Sequence, residues 1–218
     1  MTEANIERKV AVIFAADVVD YSKHMEANEN ETVQSLRECG KILTGLFAQF
    51  NGRLFNTGGD SFFAEFQSAV SAVECAAAFQ AQVNKLNKSS DIETKLWFRV
   101  GINSGDVILE NDNLLGDGVN IASRLESLAQ PGGVTISRGV YEFVNGKTDL
   151  KFNDLGAQRI KKNEFHAFDV LLESSQKRRI QTKSGSYKKL IVAAVTAAVV
   201  VSLAAYAWLA LDLSLIHI

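Results

Sequence analysis

Proline is nearly missing from this 218-residue chain, which has one, and histidine and cysteine are scarce at three and two. A single proline excludes polyproline and collagen-like architectures, while 47% hydrophobic residues exclude a disordered or low-complexity chain. The few His and Cys are too scattered for a zinc site of known spacing. Cys39 and Cys75 both fall inside helical patterns and read as buried free thiols in a reducing cytosol. An excess of either charge is also lacking: 23 basic residues face 25 acidic ones, so no global nucleic-acid signature exists. Met1 to Arg8 is polar and the first apolar run stops at Asp17, so no N-terminal signal peptide is expected. The length suits one ordinary domain plus an appendage.

What the chain does have is unevenly placed. Leu190 to Leu211 is 22 residues without a charge, interrupted only by Thr196 and Ser202. At 1.5 Å per residue, such a helix covers a hydrocarbon core of about 30 Å. Before it, Lys177, Arg178, Arg179, Lys183, Lys188 and Lys189 form an acid-free basic stretch with interspersed Ser and Gly. That composition reads as a flexible linker, and the positive-inside rule puts its side of the membrane in the cytoplasm. The expectation is a single-pass protein of the inner or plasma membrane, its globular part cytoplasmic. The final hexapeptide, Leu213 to Ile218, matches the translation of a common transposon-adapter oligonucleotide. The natural protein is therefore expected to continue beyond the span. The expected division is a tail 1–7, a globular domain 8–172, a linker 173–189, a membrane helix 190–211 and a tail 212–218.

Within the domain, Val10 to Ala16 is a continuous apolar run and predicts a buried strand. Helical spacing covers Asn30 to Phe50, Ala69 to Leu86 and Gly118 to Leu128, the last stopped by Pro131-Gly132-Gly133. Arg53–Asn56 and Phe62–Phe66 predict strands around a Thr57–Ser61 turn, and Leu96–Ile102 with Asp106–Glu110 predicts a strand pair around Ser104-Gly105. Val134–Ser137, a short helix to Phe143, and strands near Lys151–Phe152 and Phe165–Leu172 complete it. The order βαββαβ implies an α/β sandwich with helices covering one sheet.

Three constellations could carry chemistry, though each alone has an ordinary structural reading. Asp17 ends a buried strand just before Val18-Val19-Asp20-Tyr21-Ser22, and could be a helix cap or loop acid. Gly59-Asp60 at a hairpin tip could be simple turn chemistry. Asn120 and Arg124, four apart on one helix face, could be a solvated polar stripe. Together they differ. Two carboxylates ending adjacent central strands can hold paired divalent cations about 4 Å apart for attack at phosphorus. Main-chain N–H groups of Val19, Asp20, Tyr21 and Ser22 could receive phosphate oxygens. An arginine fork can stabilise a phosphoryl transition state while an amide orients a ribose oxygen. His24 and His166 read as surface or strand residues with no partner in view, and Trp97 as core.

These residues carry a resemblance. Asp17-Val-Val-x-Tyr-Ser, the Gly59-Asp60 hairpin, Arg99-x-Gly-Ile-x-x-Gly105 and Gly116-Asp-x-Val-Asn-x-Ala-x-Arg124 occur in this order at familiar spacings. Over about Arg8 to Leu172 the sequence resembles the class III adenylate/guanylate cyclase catalytic domain. The resemblance implies a ferredoxin-like βαββαβ core and a homodimer with active sites shared between subunits. It implies two Mg²⁺ or Mn²⁺ ions at Asp17, Val18 and Asp60, and attack of the ribose 3′-OH on the α-phosphorus with loss of pyrophosphate. Asn120 would orient the ribose and Arg124 stabilise the pentavalent state, both from the other subunit. Lys161 matches a phosphate-contacting lysine.

The family's adenine-reading pair is Lys and Asp, and guanylate cyclases typically show Glu and Cys; here those positions hold Asn56 and Asn113. An amide offers one donor group and one acceptor, so the base stays ambiguous. ATP, giving 3′,5′-cyclic AMP, is the reading from resemblance, with GTP as the alternative. Asp20 stands where the family often has Gly and is expected to turn to solvent. A diguanylate cyclase, suggested by Gly58-Gly59-Asp60-Ser61-Phe62, is opposed by Ser61 in place of Glu and by the Asn120/Arg124 helix. A catalytically inert nucleotide-sensing module is the alternative outside enzymology.

Overall fold

Strand β1 (Glu7–Val18) is buried on both faces from Ala11 to Ala16, which is why its sequence is a continuous apolar run rather than an alternating one. The computed structural model describes residues 7–89, 93–160 and 163–172. The expected linker, membrane helix and C-terminal tail lie outside the described residues, as does Lys161. Among the described residues no helix is long and apolar enough to cross a membrane.

After β1 come α1 (Tyr21–Ala27), α2 (Glu29–Gln49), the hairpin β2 (Gly52–Gly58) and β3 (Ser61–Phe66), and α3 (Ala69–Lys88). Then follow β4 (Phe98–Glu110), β5 (Asn113–Leu115), α4 (Asp117–Leu128), β6 (Val134–Ser137), α5 (Arg138–Val144), β7 (Lys151–Ile160) and β8 (Asn163–Leu171). The sheet runs β2-β3-β1-β4-β6-β8-β7, with β5 paired to β4. Its first four strands are mutually antiparallel in the order a βαββαβ chain gives a ferredoxin-like core. The expected α/β fold is therefore present. Its helices, however, occupy both faces.

The even-numbered side chains of β1 face α2, α3 and α5 in the larger core, where Phe14 meets Phe47 edge-to-face at 5.2 Å. Phe14 is fully buried, and truncating it to Ala would cost about 3–5 kcal/mol. The odd-numbered ones, Ala11, Ile13 and Ala15, pack with Val107, Leu114 and Ala122 of α4 on the opposite face. Alternation puts Asp17 on that second face too.

Three expectations need correction. Trp97, expected in the core, is 40% exposed. The strand pair around Ser104-Gly105 is one 13-residue strand, β4, because β1 runs beside it unbroken from Glu7↔Leu109 to Val18↔Phe98. The reversal comes at Asn111 and Asp112, both at positive φ (47° and 64°), which Asn and Asp tolerate. His166 has a partner: on β8, its Nε2 lies 2.5 Å from Asp154 Oδ1 on β7.

Candidate active site

Asp17 and Arg99 are direct cross-strand partners in the β1–β4 register, so their side chains stand together on the α4 face. Arg99 Nη2 donates to Asp17 Oδ2 at 3.3 Å, and Ser61 Oγ donates to Asp17 Oδ1 at 2.6 Å. Ser61 opens β3 beside Asp60 at the hairpin tip, so the hairpin brings the second carboxylate to the first. Burial, then the charge of Asp17, holds the Asp60 carboxyl above its ordinary range. Asp17, Asp60 and Arg99 line one open pocket of about 310 Å³ with Val18, Tyr21 and Ser22.

A partly desolvated carboxylate whose ionisation is opposed by a second one beside it is a donor set a divalent cation relieves. The hard oxygen ligands suit Mg²⁺ or Mn²⁺. Among the described residues no group of three acidic, His or Cys side chains converges to hold a metal. Two carboxylates and a main-chain carbonyl still fit an ion that keeps waters and takes substrate oxygens for its remaining positions.

The phosphate-binding expectations divide. The Val19 N–H is not free: it donates to the Trp97 carbonyl at 2.8 Å, closing the end of β1 against β4. Asp20, at φ 54° before α1, has an exposed carboxylate 2.9 Å from Lys23 Nζ, yet both residues line the same pocket as Asp17 and Asp60, so the expected turn to solvent is only partial. The hydrogen bond from Lys23 holds that carboxyl below its ordinary range. Tyr21 and Ser22 open α1, while the next two N–H groups of its first turn, those of Lys23 and His24, already donate to the Asp20 carbonyl at 2.9 and 3.2 Å.

The remaining candidates form a second group. Asn56 on β2 and Asn113 on β5 meet, the Asn56 amide donating to Asn113 Oδ1 at 3.4 Å. The Leu114 N–H also donates to Asn113 Oδ1 at 2.9 Å, which fixes that atom as the oxygen and turns the Asn113 NH₂ outward. Asn120 is exposed on α4 and Arg124 half-buried. Arg124 Nη1 is buried with no hydrogen-bond partner, an arrangement worth about 1–3 kcal/mol if left unmade. None of these four residues lines the Asp17–Asp60 pocket.

Two residues that the sequence reading gave no role belong to the site. Arg99 is the cation opposite Asp17; its signal was a charge alternating with buried Phe98 and Val100. Glu126, 5% exposed, accepts from Arg99 Nε at 2.8 Å. Its signal was an acid four residues after Ala122, on the buried stripe of α4 that starts at Gly118. Burial pushes its carboxyl up to about 7, against the pull of Arg99.

The motif glycines dock α4. A Cβ on Gly101 would lie 2.1 Å from the Glu126 nitrogen and 2.2 Å from the Ala122 carbonyl oxygen. Buried Asn103 donates from Nδ2 to the Gly118 carbonyl at 3.0 Å.

Comparison with known proteins places the chain in a family. The family model for the adenylate and guanylate cyclase catalytic domain matches residues 2–164. The putative adenylate cyclase 3 of Rhizobium meliloti (strain 1021) is 44% identical over 165 residues, 75% of this chain and 28% of that protein. The chain thus spans under a third of that relative's length. The adenylate/guanylate cyclase/hydrolase structure from Silicibacter pomeroyi is 31% identical with a TM-score of 0.70, covering 76% of this chain and 98% of the other. The adenylyl cyclase CyaB from P. aeruginosa, 22% identical with a TM-score of 0.68, covers 81% of this chain and 100% of its own, and speaks for the fold alone.

Proposed function

The chain belongs to the class III adenylate/guanylate cyclase catalytic-domain family, and from that premise we propose that it converts ATP to 3′,5′-cyclic AMP and pyrophosphate as a homodimer. The observation that carries this reading is the division of the site. One chain holds Asp17 and Asp60 in one pocket and carries Asn120 and Arg124 on α4, neither of which lines that pocket. A second copy bringing its pocket to that helix would complete both.

Asp17, Asp60 and the Val18 carbonyl would hold Mg²⁺ or Mn²⁺, two per site. Such ions, when bound, neutralise the triphosphate and acidify the ribose 3′-hydroxyl. Arg99 adds a fixed positive charge to the same pocket. Arg124 would stabilise the negative charge that grows at the α-phosphoryl group, and Asn120 would orient the ribose so that its 3′-oxygen lies in line. Lys161 would add a phosphate contact.

Adenine is favoured by the adenylate cyclase named among the relatives. The amide pair is compatible with either base, which keeps GTP as the second reading. With Asn113 Oδ1 occupied, the pair presents the Asn113 NH₂ as donor and Asn56 Oδ1 as acceptor. Either purine edge offers a matching acceptor and donor. The charge-free run 190–211, behind its basic linker, supports anchoring in the inner or plasma membrane with the domain in the cytoplasm.

The test is turnover by the full chain with Mn²⁺ and either ATP or GTP, followed by chromatography of the product. Cyclic AMP that disappears in Asp60→Ala is the expected result; cyclic GMP alone reverses the substrate. A folded dimer that binds nucleotide without making product would support the inert sensing module, and a dinucleotide product would sink the reading.

A further inference from the structure

Arg99 stands between two carboxylates that have different claims on it. Its Nε is bound at 2.8 Å by Glu126 Oε1, and its Nη2 reaches Asp17 Oδ2 only at 3.3 Å. The tighter partner is the more buried one, with 7% of the Glu126 side chain exposed against 25% for Asp17. Glu126 cannot drift from this place. Its backbone is pressed onto Gly101, two residues along β4 from Arg99, and its Oε2 accepts from Ser127 Oγ at 3.2 Å. The side chain lines no part of the Asp17–Asp60 pocket, so it is not itself a cation ligand there.

We propose that Glu126 is a positioning residue that holds the Arg99 guanidinium back from Asp17, keeping the Asp17–Asp60 pocket open to a divalent cation. Without that anchor, Asp17 is the strongest acceptor left within reach of Arg99. The guanidinium then closes on it as a resident cation, and an incoming metal must displace it. This inference rests on the cyclase reading, in which that pocket binds Mg²⁺ or Mn²⁺. It also ties two parts of the site together inside one chain, because Glu126 shares α4 with Asn120 and Arg124. A displacement of α4 on β4 would be felt at Asp17 through one guanidinium.

The experiment is a Mn²⁺ titration of the full chain without nucleotide, reading free Mn²⁺ by electron paramagnetic resonance, with a thermal melt of each variant alongside. Glu126→Ala is expected to weaken Mn²⁺ binding about tenfold. Glu126→Gln, which keeps an acceptor for Arg99 Nε, should recover to within about threefold of wild type. In an Arg99→Ala background, Glu126→Ala should change the affinity by less than about twofold, since there is no guanidinium left to restrain. Equal losses in both backgrounds, or equal losses for Ala and Gln, would mean that Glu126 acts only through its own charge, and would overturn the proposal. So would wild-type affinity in Glu126→Ala. Wild-type protein that binds no Mn²⁺ would remove the cyclase reading itself, and the proposal with it.

Discussion

The acidic pocket and the exposed face of α4 are built from different short motifs and differ in how their charged groups are partnered. In the pocket Asp17 is held by Ser61 and Arg99, and Arg99 by Glu126, while Asp60 stands against the charge of Asp17. On α4, Asn120 faces outward and Arg124 carries a buried nitrogen without a hydrogen bond. On the proposed reading the pocket would take the cation and the helix would supply the other part of the site. On that reading, association of two copies would gate the chemistry. Neither half alone surrounds a substrate.

The comparison can be broken from either side. The largest effect is expected from Asp60→Ala, which removes one of the pocket carboxylates; turnover should fall on the order of 10³-fold, about 4 kcal/mol, in a product assay. Gly101→Ala should come next. Its Cβ would meet backbone of α4 at 2.1 Å, where no side chain can swing aside, so the helix must lift. A denaturant melt should show a loss of about 3 kcal/mol, with both halves of the site disturbed. Arg124→Ala should leave the melt near wild type and lower turnover about 10²-fold, the scale for losing one donor to a transition state.

The smallest effect sharpens the comparison by pH. The Asp60 carboxyl is raised in the folded chain from 3.8, so its ionised form opposes folding above the raised value. That penalty vanishes below the unfolded value, where both states are protonated. Asp60→Asn should therefore raise the melting temperature of metal-free protein at pH 7 and leave it unchanged below about pH 3, seen by circular dichroism in EDTA. Added Mn²⁺ should then stabilise wild type and not the variant.

Much of this was legible before any coordinates. The apolar run ending at Asp17 and the Gly59-Asp60 turn located both carboxylates, because a strand's end and a hairpin's tip are local features. Their adjacency followed from strand order. The i, i+4 spacing of Asn120 and Arg124 likewise survived into α4. What stayed hidden was tertiary. Gly105 looked like a turn because nothing local reports that β1 runs beside β4 for its whole length. The true turn at Asn111-Asp112 needed only backbone tolerance, a weaker cue than glycine. Glu126 was missed because an acid on a buried stripe makes sense only once Arg99 is seen opposite it. Val19 was offered to phosphate because its N–H could be counted in the sequence, whereas the Trp97 carbonyl that takes it could not.

The central claim, that two copies of this chain complete each other's sites, is tested most directly by mixing two dead proteins. Full-length Asp60→Ala and Arg124→Ala are combined in equal amounts and assayed with Mn²⁺ and ATP or GTP. Random pairing makes half of the dimers mixed, each with one intact site and one site lacking both groups, so activity should return to about a quarter of wild type. If the mixture stays as inactive as its components while dimers exchange freely, the pocket and the helix do not meet across subunits, and the account is contradicted.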